Sequence, residues 1–414
     1  MLVVVLASMA GCLSLRRHNA DASKAGADLA QFAKHKQAQM LELAQKRRIS
    51  VAPEFATLMA AACRADWMTV SNVFEIVSMR SGWRHSPGYD PAIANELWAP
   101  VQETYGAFNL VKEFHPDNLV RYREDLLEKL PAGSVLFAGT DSGRFLGTFF
   151  LDAQNAKGIT LITQNGLVVP AYLEYLQDTL AAIQLPNQDE LNAAYRWYLE
   201  ETRAGRVHDA GAKIEDGRIR VEGVAGVMAI NSQLARWIFE HNNDKHSFFV
   251  EESYVLPWMY PYLSPYGVLM RLDKQPVSTP QADPVKWQQM IGDDFVFWDK
   301  ISSRFRERPE LWADVFARNT YSKMRSAIAG LYEYRGFVNA AEDAYKQAVR
   351  LAPAMPEASF RLANLYMRLN QTDQAIRTLR QLEGSLPAGD PRVELTRDAI
   401  KQFGAAPRVP ASVK

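Results

Sequence analysis

Ile328-Ala-Gly-Leu-Tyr-Glu-Tyr-Arg-Gly336 and Leu362-Ala-Asn-Leu-Tyr-Met-Arg-Leu-Asn370 follow one pattern, 34 residues apart. Ala341 and Ala375, and Pro353 and Pro387, keep the same interval. Such a period describes one helix–turn–helix unit written twice. Ala329, Ala341, Ala363 and Ala375 stand where two helices must approach closely. Gly336 and Asn370 accept the left-handed backbone that ends a first helix. The two prolines close each unit, because a helix rarely continues through proline.

The pattern resembles the tetratricopeptide repeat over residues 320–388. That resemblance implies a groove that binds a protein or peptide and says little about chemistry. Two units bury a single inter-repeat interface, whereas about three are usually needed for stability. Helices before Thr320 and a capping helix over Arg392–Phe403 are therefore expected to complete the stack.

Composition frames the rest. At 414 residues and 48% hydrophobic, two or three domains with a sizeable core are expected. Lys plus Arg and Asp plus Glu both number 47, so no basic excess points to nucleic acid. Cys12 and Cys63 are too few for a disulfide framework.

Met1 to Leu15 is apolar apart from two serines, and Arg16-Arg17 follow. The run is shorter than the roughly 20 residues of a membrane-crossing helix, and it lacks the basic start of a secretory signal. Met9-Ala-Gly-Cys12 resembles the lipobox of bacterial lipoproteins, with Met9 where leucine is usual. That resemblance implies a lipidated Cys12. The end of a membrane helix and a buried N-terminal strand are the alternatives. Membrane attachment through residues 1–18, with an extracytoplasmic (periplasmic-side) body, is the reading taken.

Leu29, Phe32, Met40 and Leu43 recur at helical spacing within residues 19–48, interrupted by Lys36, and predict a long amphipathic helix. A helix from Pro53 to Ala65 and a partner over Thr69–Arg80 follow. Ala60, Ala61, Ala62, Val70, Val73 and Phe74 fill their expected interface.

From residue 131 the pattern changes. Ser134–Ala138 and Ile159–Thr163 read as buried strands. Arg144–Ala153 and Ala171–Ile183 read as the helices after them, which argues for parallel strands with right-handed crossovers. A hairpin around Glu215-Asp-Gly217, a helix over Ala229–His241, and strands Ser247–Glu251 and Gly267–Arg271 complete an α/β domain over 85–280.

That domain carries the candidate site. In open parallel sheets ligands bind beyond the carboxyl ends of the strands. Asp141 with Ser142, Asn165, and Glu251 each close a different expected strand, with Arg144 and Trp258 at the rim. Asp, Asn and Glu suit sugar hydroxyls, Trp258 offers a stacking face, and Arg144 favours an anion. The bland alternative makes Asp141 and Ser142 helix caps and Asn165-Gly166 a turn pair. No Walker loop, dinucleotide fingerprint, nucleophile elbow or helical zinc pair is present. No catalytic residue, cofactor or metal is therefore assigned.

The runs SVLFAGTDSGRFLGTFF, ITLITQNGLVVPAYLEYL and SFFVEESYVLPWMYPYLSPYGVLMRL, across residues 130–275, resemble the soluble portion of bacterial protein O-mannosyltransferase-like membrane proteins. The chain lacks that family's membrane-embedded helices. The resemblance thus implies an accessory or recognition module rather than a transferase.

The expected fold is α/β plus all-α: a parallel-sheet, Rossmann-like central domain flanked by N-terminal helices and C-terminal tetratricopeptide repeats. The segments are a membrane-attachment stretch (1–18), a helical stalk and hairpin (19–84), the α/β domain (85–280) and an aromatic-rich helical adaptor (281–319). Repeats with a capping helix (320–403) and a frayed tail (404–414) follow. The expected function is a membrane-tethered interaction scaffold serving an envelope or glycosylation system, with a protein or peptide partner and a glycan as a further ligand. The alternative is an enzyme, or enzyme subunit, acting on a glycan through the strand-end crevice.

Overall fold

The computed structural model describes residues 19–82, 88–154, 157–207, 209–215 and 218–405. The expected attachment segment, Cys12 included, lies outside them, as do the hairpin turn at Asp216-Gly217 and the tail beyond Ala405. In chain order the first elements are α1 (Asn19–Arg47), α2 (Pro53–Cys63), α3 (Trp67–Arg80), α4 (Trp98–Glu113), α5 (Pro116–Arg123), β1 (Val135–Ala138), α6 (Gly147–Gln154) and β2 (Thr160–Thr163). Then come α7 (Pro170–Thr179), α8 (Gln188–Arg203), β3 (Gly211–Glu215), β4 (Arg218–Glu222), α9 (Val224–Asn242), β5 (Phe248–Glu251), β6 (Leu263–Tyr266) and β7 (Leu269–Leu272). The remainder is helical: α10 (Pro284–Glu307), α11 (Pro309–Trp312), α12 (Val315–Tyr334), α13 (Val338–Leu351), α14 (Pro356–Arg368), α15 (Thr372–Ser385) and α16 (Arg392–Ala405).

The protein is mostly helical, at 67%. Its larger sheet has the order β2-β1-β5-β7-β6, and β3 and β4 form a separate hairpin. The parallel sheet expected from sequence is thus a small mixed one: β1 and β2 are parallel, but β6 and β7 are antiparallel. The strand β6 went unrecognised because Pro265 lies inside it. Proline donates no ladder hydrogen bond, and β6 tolerates it as the last strand in the sheet order. The chain divides into two compact units, residues 1–112 with 130–248, and residues 113–129 with 249–414.

In the first unit the apolar stripe of α1 is buried as expected at Leu29, Phe32, Met40 and Leu43. Lys36, which breaks the stripe, is buried too and meets the Glu103 carboxylate of α4 at 2.6 Å. The Tyr175 hydroxyl donates to the same carboxylate at 3.0 Å, so the charge enters the core only with partners. Ala61, Ala62, Val70 and Phe74 are buried where α2 meets α3. A Cβ on Gly106 would run into the ring of Phe145, so α4 passes this close only because the residue is glycine. All four residues of β1 are buried, which explains its unbroken apolar run.

In the second unit Ala329, Ala341, Ala363 and Ala375 are fully buried. Gly336 and Asn370 adopt φ of 81° and 59°, the left-handed turns read from sequence. The hairpin α12–α13 packs on α14–α15, and α16 packs on α15. On the other side α10 buries Trp287, Trp298, Ile301 and Phe305. It also places Asp294 2.5 Å from Arg325 of the first repeat, with both side chains almost wholly out of water. The Tyr332 hydroxyl donates to Asp294 at 2.6 Å, and Arg325 Nε donates to Gln347 at 2.8 Å. Helices on both sides therefore supply the interfaces that two repeats alone lack.

Candidate functional site

The residues singled out from sequence divide between the units. Asp141, Ser142, Arg144 and Asn165 belong to the first, Glu251 and Trp258 to the second. Asp141 is exposed and makes no capping bond; the cap is Thr140, whose hydroxyl accepts from Gly143 N at 3.0 Å. Ser142 is buried in the same turn. Arg144 donates to Gln102 of α4 at 2.6 Å and lies over the Phe145 ring. Parallel register sets Ala138 beside Thr163, and Asn165 reaches across that edge to donate to Gly139 O at 3.2 Å. Asn231, fully buried on α9, fastens the same turn by accepting from Val168 N and donating to Asn165 O. The strand ends of β1 and β2 do converge, although their polar groups mostly bind one another.

In the second unit Glu251 is buried at the end of β5. Glu252 folds back to accept from the backbone N–H groups of Ser253 and Tyr254, at 2.7 and 3.0 Å. Trp258 is half-buried and stands edge-on to Tyr262. This segment leads to the first helices of the two repeats. Arg361 of α14 donates to Ser253 O, pairs with Glu357 at 3.0 Å and lies over the Tyr254 ring. Burial pushes the Glu357 carboxyl above its ordinary range, while Arg361 and Lys323 pull it back. Arg335 donates to the carbonyls of Tyr260 and Pro261 at 3.0 and 2.7 Å, and Tyr260 stacks on Tyr334 with centroids 4.9 Å apart.

A recess of ≈ 380 Å³ is lined by Gly330, Glu333 and Tyr334 of α12, Tyr345, Tyr260, and Arg361, Asn364 and Arg368 of α14. Glu333 accepts from the Tyr345 hydroxyl at 3.2 Å and pairs with Arg368. Burial, and then the Glu333 charge, push the Tyr345 phenol upward, so it remains a protonated donor at neutral pH. No sequence argument singled out these residues, yet a signal existed. Gly330 and Asn364 stand 34 apart, as do Tyr334 and Arg368. They are equivalent positions on the face of the first helices, where sequence varies while the packing positions do not.

Residues 336–397 match a tetratricopeptide-repeat family model. The match takes in α13, α14, α15 and the start of α16, and such repeats generally mediate protein–protein interaction. Of the recess lining, Tyr345, Arg361, Asn364 and Arg368 fall inside it, and Tyr260, Gly330, Glu333 and Tyr334 outside. Comparison with curated proteins and with solved structures gave no match. Nothing in the comparisons supports the O-mannosyltransferase-like resemblance of residues 130–275. Among the described residues no helix is long and apolar enough to cross a membrane, and no group of His, Cys, Asp or Glu is placed to hold a metal.

Proposed function

We propose that the chain is a protein-interaction scaffold that takes an extended peptide segment of its partner on the shared face of α12 and α14. One observation carries this reading: helices α13 and α14, which match a repeat family that generally mediates protein interaction, line part of an open, polar recess. A photo-crosslinking amino acid at Asn364, which is exposed on this face, is expected to trap the partner in cells. The same group at Arg350, exposed on α13, is not. Equal trapping at both positions, or none at Asn364, refutes the assignment.

We further propose that residues 1–18 hold this scaffold at a membrane, on the extracytoplasmic side, as an accessory module of an envelope or glycosylation system. The support is the apolar Met1–Leu15 run ahead of a charged body. Fractionation of the full chain and of a chain starting at Asn19 tests it; both in the soluble cytoplasm ends the idea. The convergence of the β1 and β2 ends supports a second reading, a glycan crevice at Asp141 and Asn165 in a Rossmann-like first unit. Glycans that raise the melting temperature of the native chain but not of Asp141→Ala support it; no shift with any glycan ends it.

A further inference from the structure

We propose that α3 carries a self-complementary stripe through which two copies of this chain pair, their helices antiparallel across a twofold axis. The inner face of α3 buries Val70, Phe74 and Val77. Its outer face leaves Met68, Ile76 and Met79 exposed at 76%, 51% and 66%. Single exposed apolar residues are ordinary on a protein surface, whereas grouped ones mark an interaction site. At about 3.6 residues per turn, Met68, Asn72, Glu75 and Met79 lie within roughly 30° of one line along the helix. Ile76 flanks that line on one side and Ser71 on the other. Asn72 and Glu75, between the two methionines, are exposed as well.

The order of these residues names the occupant. Their positions are symmetric about a point midway between Val73 and Phe74: Met68 mirrors Met79, Asn72 mirrors Glu75, and Ser71 mirrors Ile76. In a twofold interface residue i meets residue j and j meets i. An antiparallel copy centred on that point therefore sets Met68 against the partner's Met79 and Asn72 against the partner's Glu75, each contact made twice. Ile76 lies beside the partner's Ser71, a large side chain against a small one. The Asn72 amide donates to the partner's Glu75, a charge-assisted bond, so neither carboxylate is covered without a donor. Methionine suits such a seam, because its unbranched thioether adapts to the surface it meets. The mount is firm. Phe74 stacks on Tyr105 of α4 with centroids 3.6 Å apart, and Trp67 stacks on Phe108 at 3.9 Å. Asp66 caps the first turn by accepting from Thr69 N at 3.2 Å. One 14-residue helix against another covers less than the roughly 800 Å² per partner of a standard interface. Pairing is therefore expected at micromolar concentrations.

Sedimentation equilibrium of the full chain, with reductant and over about 1–200 μM, is expected to show monomer and dimer in exchange. Asn72→Asp sets a carboxylate against the partner's Glu75 twice and is expected to raise the dissociation constant about tenfold or more. Adding Glu75→Lys to Asn72→Asp replaces that repulsion by attraction and is expected to restore the dimer. Met79→Lys is expected to leave a monomer. All three positions are exposed, so circular dichroism of each variant is expected to match the wild type. A chain that stays monomeric throughout overturns the proposal. So does an association that Asn72→Asp and Met79→Lys leave intact, or one that Glu75→Lys fails to restore in the double variant, because the contact then lies on another surface.

Discussion

Asp294 and Arg325 give the sharpest test of how two repeats become stable. Asp294→Ala removes one member of an ion pair whose side chains are 2% and 0% exposed, leaving a guanidinium buried with Gln347 as its remaining polar partner and the rings of Phe295 and Trp298 beside it. Breaking a buried pair in this way costs about 3–5 kcal/mol. For a unit of this size, that lowers the melting temperature by roughly 6–20 °C. Replacing both members has a different outcome. Arg325 Nη2 and Asp294 Oδ1 make no hydrogen bond within the protein, so the native pair is incompletely compensated. Asp294→Leu with Arg325→Met is therefore expected to recover most of the loss, because apolar replacement of a buried pair is often neutral or stabilising. Equilibrium urea unfolding of the wild type, Asp294→Leu, Arg325→Met and the double variant measures the coupling. If Asp294→Ala costs less than about 1 kcal/mol, or if the single effects simply add, then α10 does not complete the repeat core through this pair.

Three further expectations follow from other parts of the fold. The neighbouring Glu96 carboxyl, and then burial, raise the Glu174 pKa to about 7. The folded state then keeps a proton that the unfolded chain loses, so this contribution is full below about pH 4.5 and gone above about 7; Glu174→Gln should flatten stability between those values, and an unaltered pH profile of the melt would count against it. Ala341 is fully buried between the helices of the first repeat, so Ala341→Leu should overpack the pair and cost roughly 1–3 kcal/mol, read by chemical denaturation. Deleting residues 389–414 removes α16, which buries Thr396 and pairs Arg397 with Glu383 of α15 at 2.7 Å; a lower melting temperature is expected, and an unchanged one would show that the helix does not cap the stack.

The local chemistry was legible where one residue type answers one constraint. Gly336 and Asn370 were readable as left-handed turns, and the four alanines as helix contacts, because backbone sterics permit few alternatives. The α1 stripe was readable for the same reason, since a 3.6-residue period leaves one face to bury. Lys36 was not. A lysine in an apolar stripe looks like an error until Glu103 and Tyr175, distant in sequence, arrive beside it. The strand β6 was missed because proline argues against a strand wherever pairing is needed on both sides, and the sheet order that exempts it is a property of the whole sheet. Glu251 was marked as a strand-end group, but the bond from Arg361 of α14 to the nearby Ser253 carbonyl depends on where the chain travels next.

The sequence by itself determined the repeat: its period, its turns and its packing positions, all of which are short-range steric facts. Tertiary structure alone decided what lies beside the first helices. Tyr260 reaches the recess from 70 residues before Gly330, and Asp294 enters the first repeat from a helix that bears no trace of the repeat pattern. Neither meeting is encoded in local spacing, because each depends on burying apolar surface between elements that the sequence keeps far apart.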